Sequence, residues 1–307
     1  MTELFLESIL SSDVAFMDET TLQVNKEPDR KASSKSYMWI MVSGENSPPT
    51  ILFHYNKSRA AKTAKEMLHS YKGYVMTDGY SGYNFVGETG SEAIHLACWA
   101  HARRKFFEAL QLIDEKAKAD SYPQKAIEHI RKLYEVEKEI REYKQSSECA
   151  DYNAIRSIRI KKALPELSKF KNELDEWKKN VPEKGKTGKA ISYTLNLWDK
   201  LTKYVYDGKC PIDNNTAENA IRPFVVGRKA WLFCDTQDGA TATALFYSII
   251  STAKANKLEP YWYMCYLLSN VKEKTSKEDL RALMPQKVGQ ETIIKFKQET
   301  LKGIQIF

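Results

Sequence analysis

Nowhere in the 307 residues does an apolar run reach the about 18 residues that a membrane-spanning helix needs. The opening segment, MTELFLESILSSD, carries acids where a secretory leader needs basic residues, so a cytoplasmic location is expected. Cysteine is scarce and odd in number: Cys98, Cys149, Cys210, Cys234 and Cys265 fall at scattered spacings. That excludes a disulfide framework and suits reduced thiols that serve packing. Internal repeats and low-complexity tracts are absent, which excludes solenoid architectures. KGKTGK, Lys184 to Lys189, lacks the full phosphate-loop pattern and follows no apolar strand, so it reads as a flexible basic loop. Cys98 and His101 form a CxxH pair with no second pair nearby, too few ligands for a structural zinc site.

Charge, by contrast, is plentiful and unevenly spread. The net charge is +7, and residues 101–200 hold 23 Lys and Arg against 17 Asp and Glu. One segment thus carries nearly the whole excess. A basic surface suits a polyanionic partner, although many solvated helices have the same composition.

Alternation in VAFMDETTLQV, residues 14–24, predicts a strand whose apolar face, Val14, Phe16, Leu22 and Val24, also carries Asp18. SYMWIMVSG and TILFHYN predict two further strands of an antiparallel meander. Ser58 to Tyr71 reads as a helix, GYVMTD as a strand, and SEAIHLACWAHARRKFFEALQLI as a short strand followed by a helix from about Trp99. Lys, Glu, Ala, Ile and Leu at helical spacing then predict an insertion of three or four helices. Its expected interruptions lie at Tyr122-Pro123, near Ser146, at Pro165 and in the basic loop that contains KGKTGK. Further on, VGRKAWLF suggests a short strand, and PYWYMCYLL a helix whose aromatics belong to the core. The expected plan is α/β. Its parts are a core in two pieces (1–112 and 204–272), a helical insertion (113–203) and a charged tail (273–307).

PIDNNTAENAIRPF, Pro211 to Phe224, raises a separate question, because a helix start rarely gathers so many polar groups. Asp213 reads as its N-cap, Pro223 as its end, and Glu218 and Arg222 stand at i and i+4. A capped helix with a surface salt bridge would explain this pattern. So would a site: Asp18 in mid-strand, Asp78 at a strand end beside a glycine turn, and Glu218 on a helix make three carboxylates from three elements. Two magnesium ions acting on a phosphodiester need such hard oxygen ligands. With 40 acidic residues in the chain, spacing does not choose between the two.

Five stretches in order decide the matter. DET (18–20), TDGYSGYN (77–84), ACWAHARRKFFEA (97–109), IDNNTAENAIRPFVVGRKAWLF (212–233) and YSIISTAKANKLEPYWYMCYLL (247–268) resemble transposases of the insertion sequence 66 family. The resemblance implies a DDE recombinase with a ribonuclease-H-like mixed sheet and an all-helical insertion before the last catalytic helix. It implies Asp18, Asp78 and Glu218 as catalytic acids that hold two magnesium or manganese ions, with Asn214 and Asn215 in support. Phosphate contact is expected of His101, Arg103, Arg104, Lys105, Arg222, Arg228 and Lys229. For Trp231, core packing competes with stacking on a base.

The expected partners are double-stranded DNA (transposon ends and target), further copies of the chain on that DNA, and accessory proteins of the same element. The protein would be nucleoid-associated when bound to DNA. No helix-turn-helix candidate or CxxC pair precedes Asp18, so recognition of end sequences by this chain is not expected. The alternative is a truncated, catalytically silent remnant that binds DNA or a partner.

Overall fold

The computed structural model describes residues 1–146 and 151–304. In chain order the elements are α1 (Thr2–Leu10), β1 (Val14–Lys26), β2 (Lys35–Ser43), β3 (Ile51–Asn56), α2 (Ala61–Met67), β4 (Tyr74–Thr77), β5 (Ile94–Ala97), α3 (Trp99–Leu110), α4 (Tyr122–Ser146), α5 (Tyr152–Asn180), α6 (Lys186–Asn196), α7 (Trp198–Thr202), α8 (Asn215–Trp231), β6 (Cys234–Thr236), α9 (Gln237–Ala255), α10 (Pro260–Asn270), α11 (Lys277–Ala282) and α12 (Gln290–Ile304). They form two compact units, each discontinuous in the chain. One holds residues 1–73, 88–92 and 216–307, the other 74–87 and 93–215. The span 113–203 lies wholly within the second.

In the first unit β1, β2 and β3 form the expected antiparallel meander, with Asp18 opposite Ile40 and Trp39 opposite His54, while β6 adds to the end of β1 in parallel. The sheet is therefore mixed. The edge of β3 would leave backbone groups unpaired, a liability that sheets must cover. Helix α9 covers it with two hydroxyls one turn apart: Ser248 Oγ accepts from the Phe53 amide at 2.8 Å and Thr252 Oγ1 from the Ile51 amide at 3.0 Å. Phe53, Phe224 and Tyr247 pack together with ring centroids 5.2–6.0 Å apart, which docks α8 and α9 on the sheet.

In the second unit β4 and β5 pair in parallel, Val75 opposite His95 and Thr77 opposite Ala97. Trp99, Phe106 and Phe170, all fully buried, join α3 to α5. In the same unit Glu137 of α4 and Arg159 of α5 form a buried bidentate pair at 2.7 and 2.8 Å. Among the described residues no helix is long and apolar enough to cross a membrane.

Several expectations need correction, most of them where a proline or glycine suggested a break. Pro165 lies inside α5, because Ile155, Arg159, Ala163, Leu167, Phe170 and Leu174 bury one continuous face that carries the helix past it. Pro223 lies inside α8 for the same reason: Ala217, Ile221 and Phe224 are buried. VGRKAWLF accordingly continues α8 as far as Trp231 and forms no strand. Lys186 to Lys189 open α6 rather than a flexible loop. Gly188 sits there because a Cβ would stand 2.1 Å from the Pro182 carbonyl oxygen.

The helix expected over Ser58 to Tyr71 is confined to Ala61–Met67, with Ser70 at φ +58° beyond it. Of PYWYMCYLL only Tyr263 and Leu267 are core, while Tyr261 and Leu268 are exposed. Helix α1, unanticipated, buries Leu4, Phe5 and Ile9. Cys98, Cys210 and Cys234 are buried free thiols, Cys265 is half-buried, and Cys149 lies outside the described residues.

Candidate nucleic-acid and metal site

Asp18 and Glu218 belong to the first unit and Asp78 to the second. All three carboxylates are half-buried. Asp18 lies in mid-β1, its Oδ1 accepting from the Glu19 amide at 2.8 Å. Glu19, whose side chain is almost wholly buried, takes the Arg59 guanidinium, with Nε donating to Oε1 at 2.6 Å. The strand next to Asp18 is thus braced by an ion pair from the loop after β3. Glu218 occupies the first turn of α8, where the helix dipole favours an acid.

Ten residues further along α8, Arg228 Nη1 donates to Thr20 Oγ1 at 3.1 Å and Thr21 Oγ1 at 3.3 Å. Arg228 therefore anchors α8 to β1, a role its position in the sequence did not reveal. Arg222 and Lys229 are exposed on the same helix. Trp231 is half-buried and packs against Phe224 at 5.5 Å, which favours packing over stacking on a base.

Asp78 follows β4 directly and is held at two points. Its Oδ1 accepts from the Tyr80 amide at 2.8 Å, and its carbonyl oxygen accepts from the Tyr193 hydroxyl at 2.6 Å. Between them Gly79 sits at φ +85°, a conformation that costs a residue with a Cβ. Just before it, Thr77 Oγ1 lies 2.8 Å from His95 Nε2 and accepts from the Gly79 amide at 3.3 Å. Burial pushes the His95 imidazole down to about 3, with Lys200 and Lys203 adding to the shift, so it is neutral at physiological pH. Burial, with the nearby Asp78 charge, raises the Tyr193 phenol, which stays a hydrogen-bond donor. Lys105 Nζ lies 4.4 Å from the centre of the Tyr193 ring.

The segment before α8 is tied down as firmly. The Trp99 amide donates to the Ile212 carbonyl at 3.2 Å, and the Asn214 amide to Cys98 Sγ at 3.2 Å. Asp213 folds back on the Asn215 amide at 3.1 Å and side-chain nitrogen at 2.9 Å, and accepts from the Tyr134 hydroxyl at 2.8 Å. Asn214 is fully buried and Asn215 exposed. Much of the polarity of PIDNNTAENAIRPF thus anchors the entry to α8. Cys98 is the N-cap residue of α3, and His101 follows within the first turn. Arg103 and Arg104 are exposed on that helix, with Arg104 Nη1 3.5 Å from His101 Nε2, whereas Lys105 is half-buried.

Sequence reasoning missed Tyr193, Tyr134 and His95. For His95 a signal existed: like Asp18 it is a polar residue inside an apolar strand. The two tyrosines act 115 and 79 residues from their partners and carry no local mark.

Residues 1–242 match the family model described as Transposase IS66 family, and residues 248–286 match the IS66 C-terminal element. The chain belongs to the IS66 transposase family. Curated relatives come from Sinorhizobium fredii (strain NBRC 101917 / NGR234). The uncharacterized protein y4qI is 30% identical over 296 residues, 93% of this chain and 52% of its own length. The uncharacterized protein y4jD is 29% identical over 91% of this chain and 54% of its own length. This IS66 chain therefore spans about half the length of the curated relatives it matches. No solved structure matches it.

Proposed function

We propose that the chain is the catalytic region of a DNA transposase, with a ribonuclease-H-like core, that cleaves phosphodiesters and transfers strands using two magnesium or manganese ions. Asp18, Asp78 and Glu218 would hold the ions. The donor set fits them: three half-buried carboxylates supply hard oxygen ligands, which suit magnesium or manganese better than softer metals. When bound, such ions activate an oxygen nucleophile and stabilise the leaving oxygen.

The remaining work falls to the chain. One oxygen of Asp18 and one of Asp78 each take a neighbouring backbone amide, which orients the carboxylate. Arg59 on Glu19 holds the strand beside Asp18, while Tyr193 and the Thr77–His95 pair hold the backbone beside Asp78. His101, Arg103, Arg104, Arg222 and Lys229 would neutralise DNA phosphates, and Lys105 would do so from beside Tyr193. Double-stranded DNA, further copies of the chain that hold two ends together, and accessory proteins of the element complete this reading.

The observation that carries it is Asp78, a half-buried carboxylate at the end of β4 that is fixed by a side-chain turn, a positive-φ glycine and a half-buried tyrosine. Packing alone does not call for that investment. Its test is a cleavage and joining assay with DNA bearing the element's ends and a free 3′-hydroxyl. Asp18→Asn, Asp78→Asn and Glu218→Gln should each lose at least about a hundredfold in product while unfolding like the wild type. A wild-type chain that binds DNA but yields no product with either metal would make it a silent DNA-binding remnant. Cleavage without joining would make it a nuclease.

A further inference from the structure

One face of α3 is unlike the rest of that helix. Trp99, Ala102, Phe106, Ala109 and Leu110 are buried, whereas Ala100, Arg103, Arg104 and Phe107, at i, i+3, i+4 and i+7, line a cavity of about 470 Å³. Arg131 and Tyr134, one turn apart on α4, and Asn215 complete it. The volume falls within the about 300–1,000 Å³ usual for small-ligand sites.

Its chemistry is divided. Phe107 is 47% exposed, an aromatic ring presented among guanidinium groups. Arg131 is held by Glu128 and Glu135, and Tyr134 by Asp213, so the α4 wall is fixed in place and its charge offset. The Arg103 side chain makes no ion pair or hydrogen bond among the described residues, and Arg104 lies beside it. The positive charge of Arg103, unmatched among the described residues, therefore stands on the same helical face as the exposed ring.

We propose that this cavity takes a single unpaired nucleotide of a DNA strand, with its base stacked on Phe107 and its phosphate against Arg103 and Arg104. The inference rests on the DNA-transposase reading and goes beyond it. Duplex DNA offers phosphates to a basic surface but keeps its base faces stacked. A concave, ring-bearing pocket gains from a base only when that base is unpaired.

The test is a binding titration of the full chain in EDTA, so that metal-dependent chemistry does not enter. The probes are a blunt duplex and the same duplex with a short 3′ overhang carrying 2-aminopurine. The wild type should prefer the overhang and quench the 2-aminopurine. Phe107→Ala and Phe107→Leu should each lose about tenfold or more in affinity for the overhang and little for the blunt duplex, and Phe107→Tyr should restore the preference. Arg103→Ala should weaken both probes and lower the salt dependence.

Equal losses on both probes, no loss, or no wild-type preference would overturn the proposal. So would a Phe107→Leu variant as effective as the wild type, since leucine fills the pocket without a stacking face. A chain without catalytic activity that keeps the Phe107-dependent preference would retain this site while the catalytic reading falls.

Discussion

Arg159 offers the sharpest test of how the second unit is held together. Its side chain is 4% exposed and that of its partner Glu137 9%. Its Nε and Nη2 donate to the two Glu137 oxygens, and its Nη1 donates to the Tyr204 and Asp207 carbonyls, both at 2.9 Å. Arg159→Met keeps most of the volume and removes all four bonds. Leaving a buried carboxylate without its partner costs about 3–5 kcal/mol. Loss of the donor to the Tyr204 carbonyl adds about 1 kcal/mol, whereas the Asp207 carbonyl keeps the Cys210 amide at 3.2 Å.

The expected loss is therefore about 4–6 kcal/mol, a large share of the about 5–15 kcal/mol that holds a typical domain together. Replacing Glu137 by Met as well should recover most of it, because an apolar pair of similar volume is often as stable as a buried ion pair. About 1 kcal/mol should remain missing, for the Tyr204 carbonyl. Urea unfolding of both variants, compared at a common denaturant slope, measures these quantities. If the double variant is no more stable than Arg159→Met, the orphaned charge is not the cause. If Arg159→Met loses under about 1 kcal/mol, the pair does not hold the unit together.

Two further perturbations bear on Asp78. Gly79→Ala places a Cβ 2.6 Å from Leu197 Cδ1 at φ +85° and should cost about 2 kcal/mol or more in urea unfolding, whereas Gly90→Ala, at φ +92° with open space around it, should pay only the backbone strain of about 1–2 kcal/mol. His95 stays neutral in the folded protein down to about pH 3, whereas an unfolded histidine gains its proton near 6.5. The unfolded state therefore binds more protons as the pH falls. Stability should drop below about pH 6.5 by up to about 1.4 kcal/mol per pH unit, and His95→Gln should flatten that slope in urea unfolding between pH 5 and 7.

The strands were legible because alternation leaves a trace in a half-buried sheet: the expected 14–24 became Val14–Lys26, and Asp18 is recognisable as an acid among apolar neighbours. Prolines misled in two helices, α5 and α8. A local breaker costs about 3 kcal/mol, and the buried faces of α5 and α8 outweigh it through contacts with residues far away in sequence. Gly188 misled likewise, since glycine there answers a close approach to Pro182 and not a need for flexibility. At the candidate site, the strand and helix positions of the acids and of the basic run of α3 could be read locally. Tyr193, Tyr134 and Arg159 could not, because each acts on a backbone or carboxylate that only folding brings near.

Those three residues share an origin. Tyr134 comes from α4, Arg159 from α5 and Tyr193 from α6, all within the lysine- and glutamate-rich stretch that sequence alone marks as an insertion. Tyr193 holds the Asp78 carbonyl, Tyr134 holds Asp213 at the entry to α8, and Arg159 holds the Tyr204 and Asp207 carbonyls on the chain that leads there. A decorative insertion would leave β4, β5 and α3 complete without it. Here the helices share one compact unit with those elements and supply the groups that fix their loops. The basic helical stretch is thus the bed on which the Asp78 backbone rests, and Tyr193→Phe, which removes the hydroxyl that holds the Asp78 carbonyl, should cost about 1 kcal/mol in urea unfolding without touching a carboxylate.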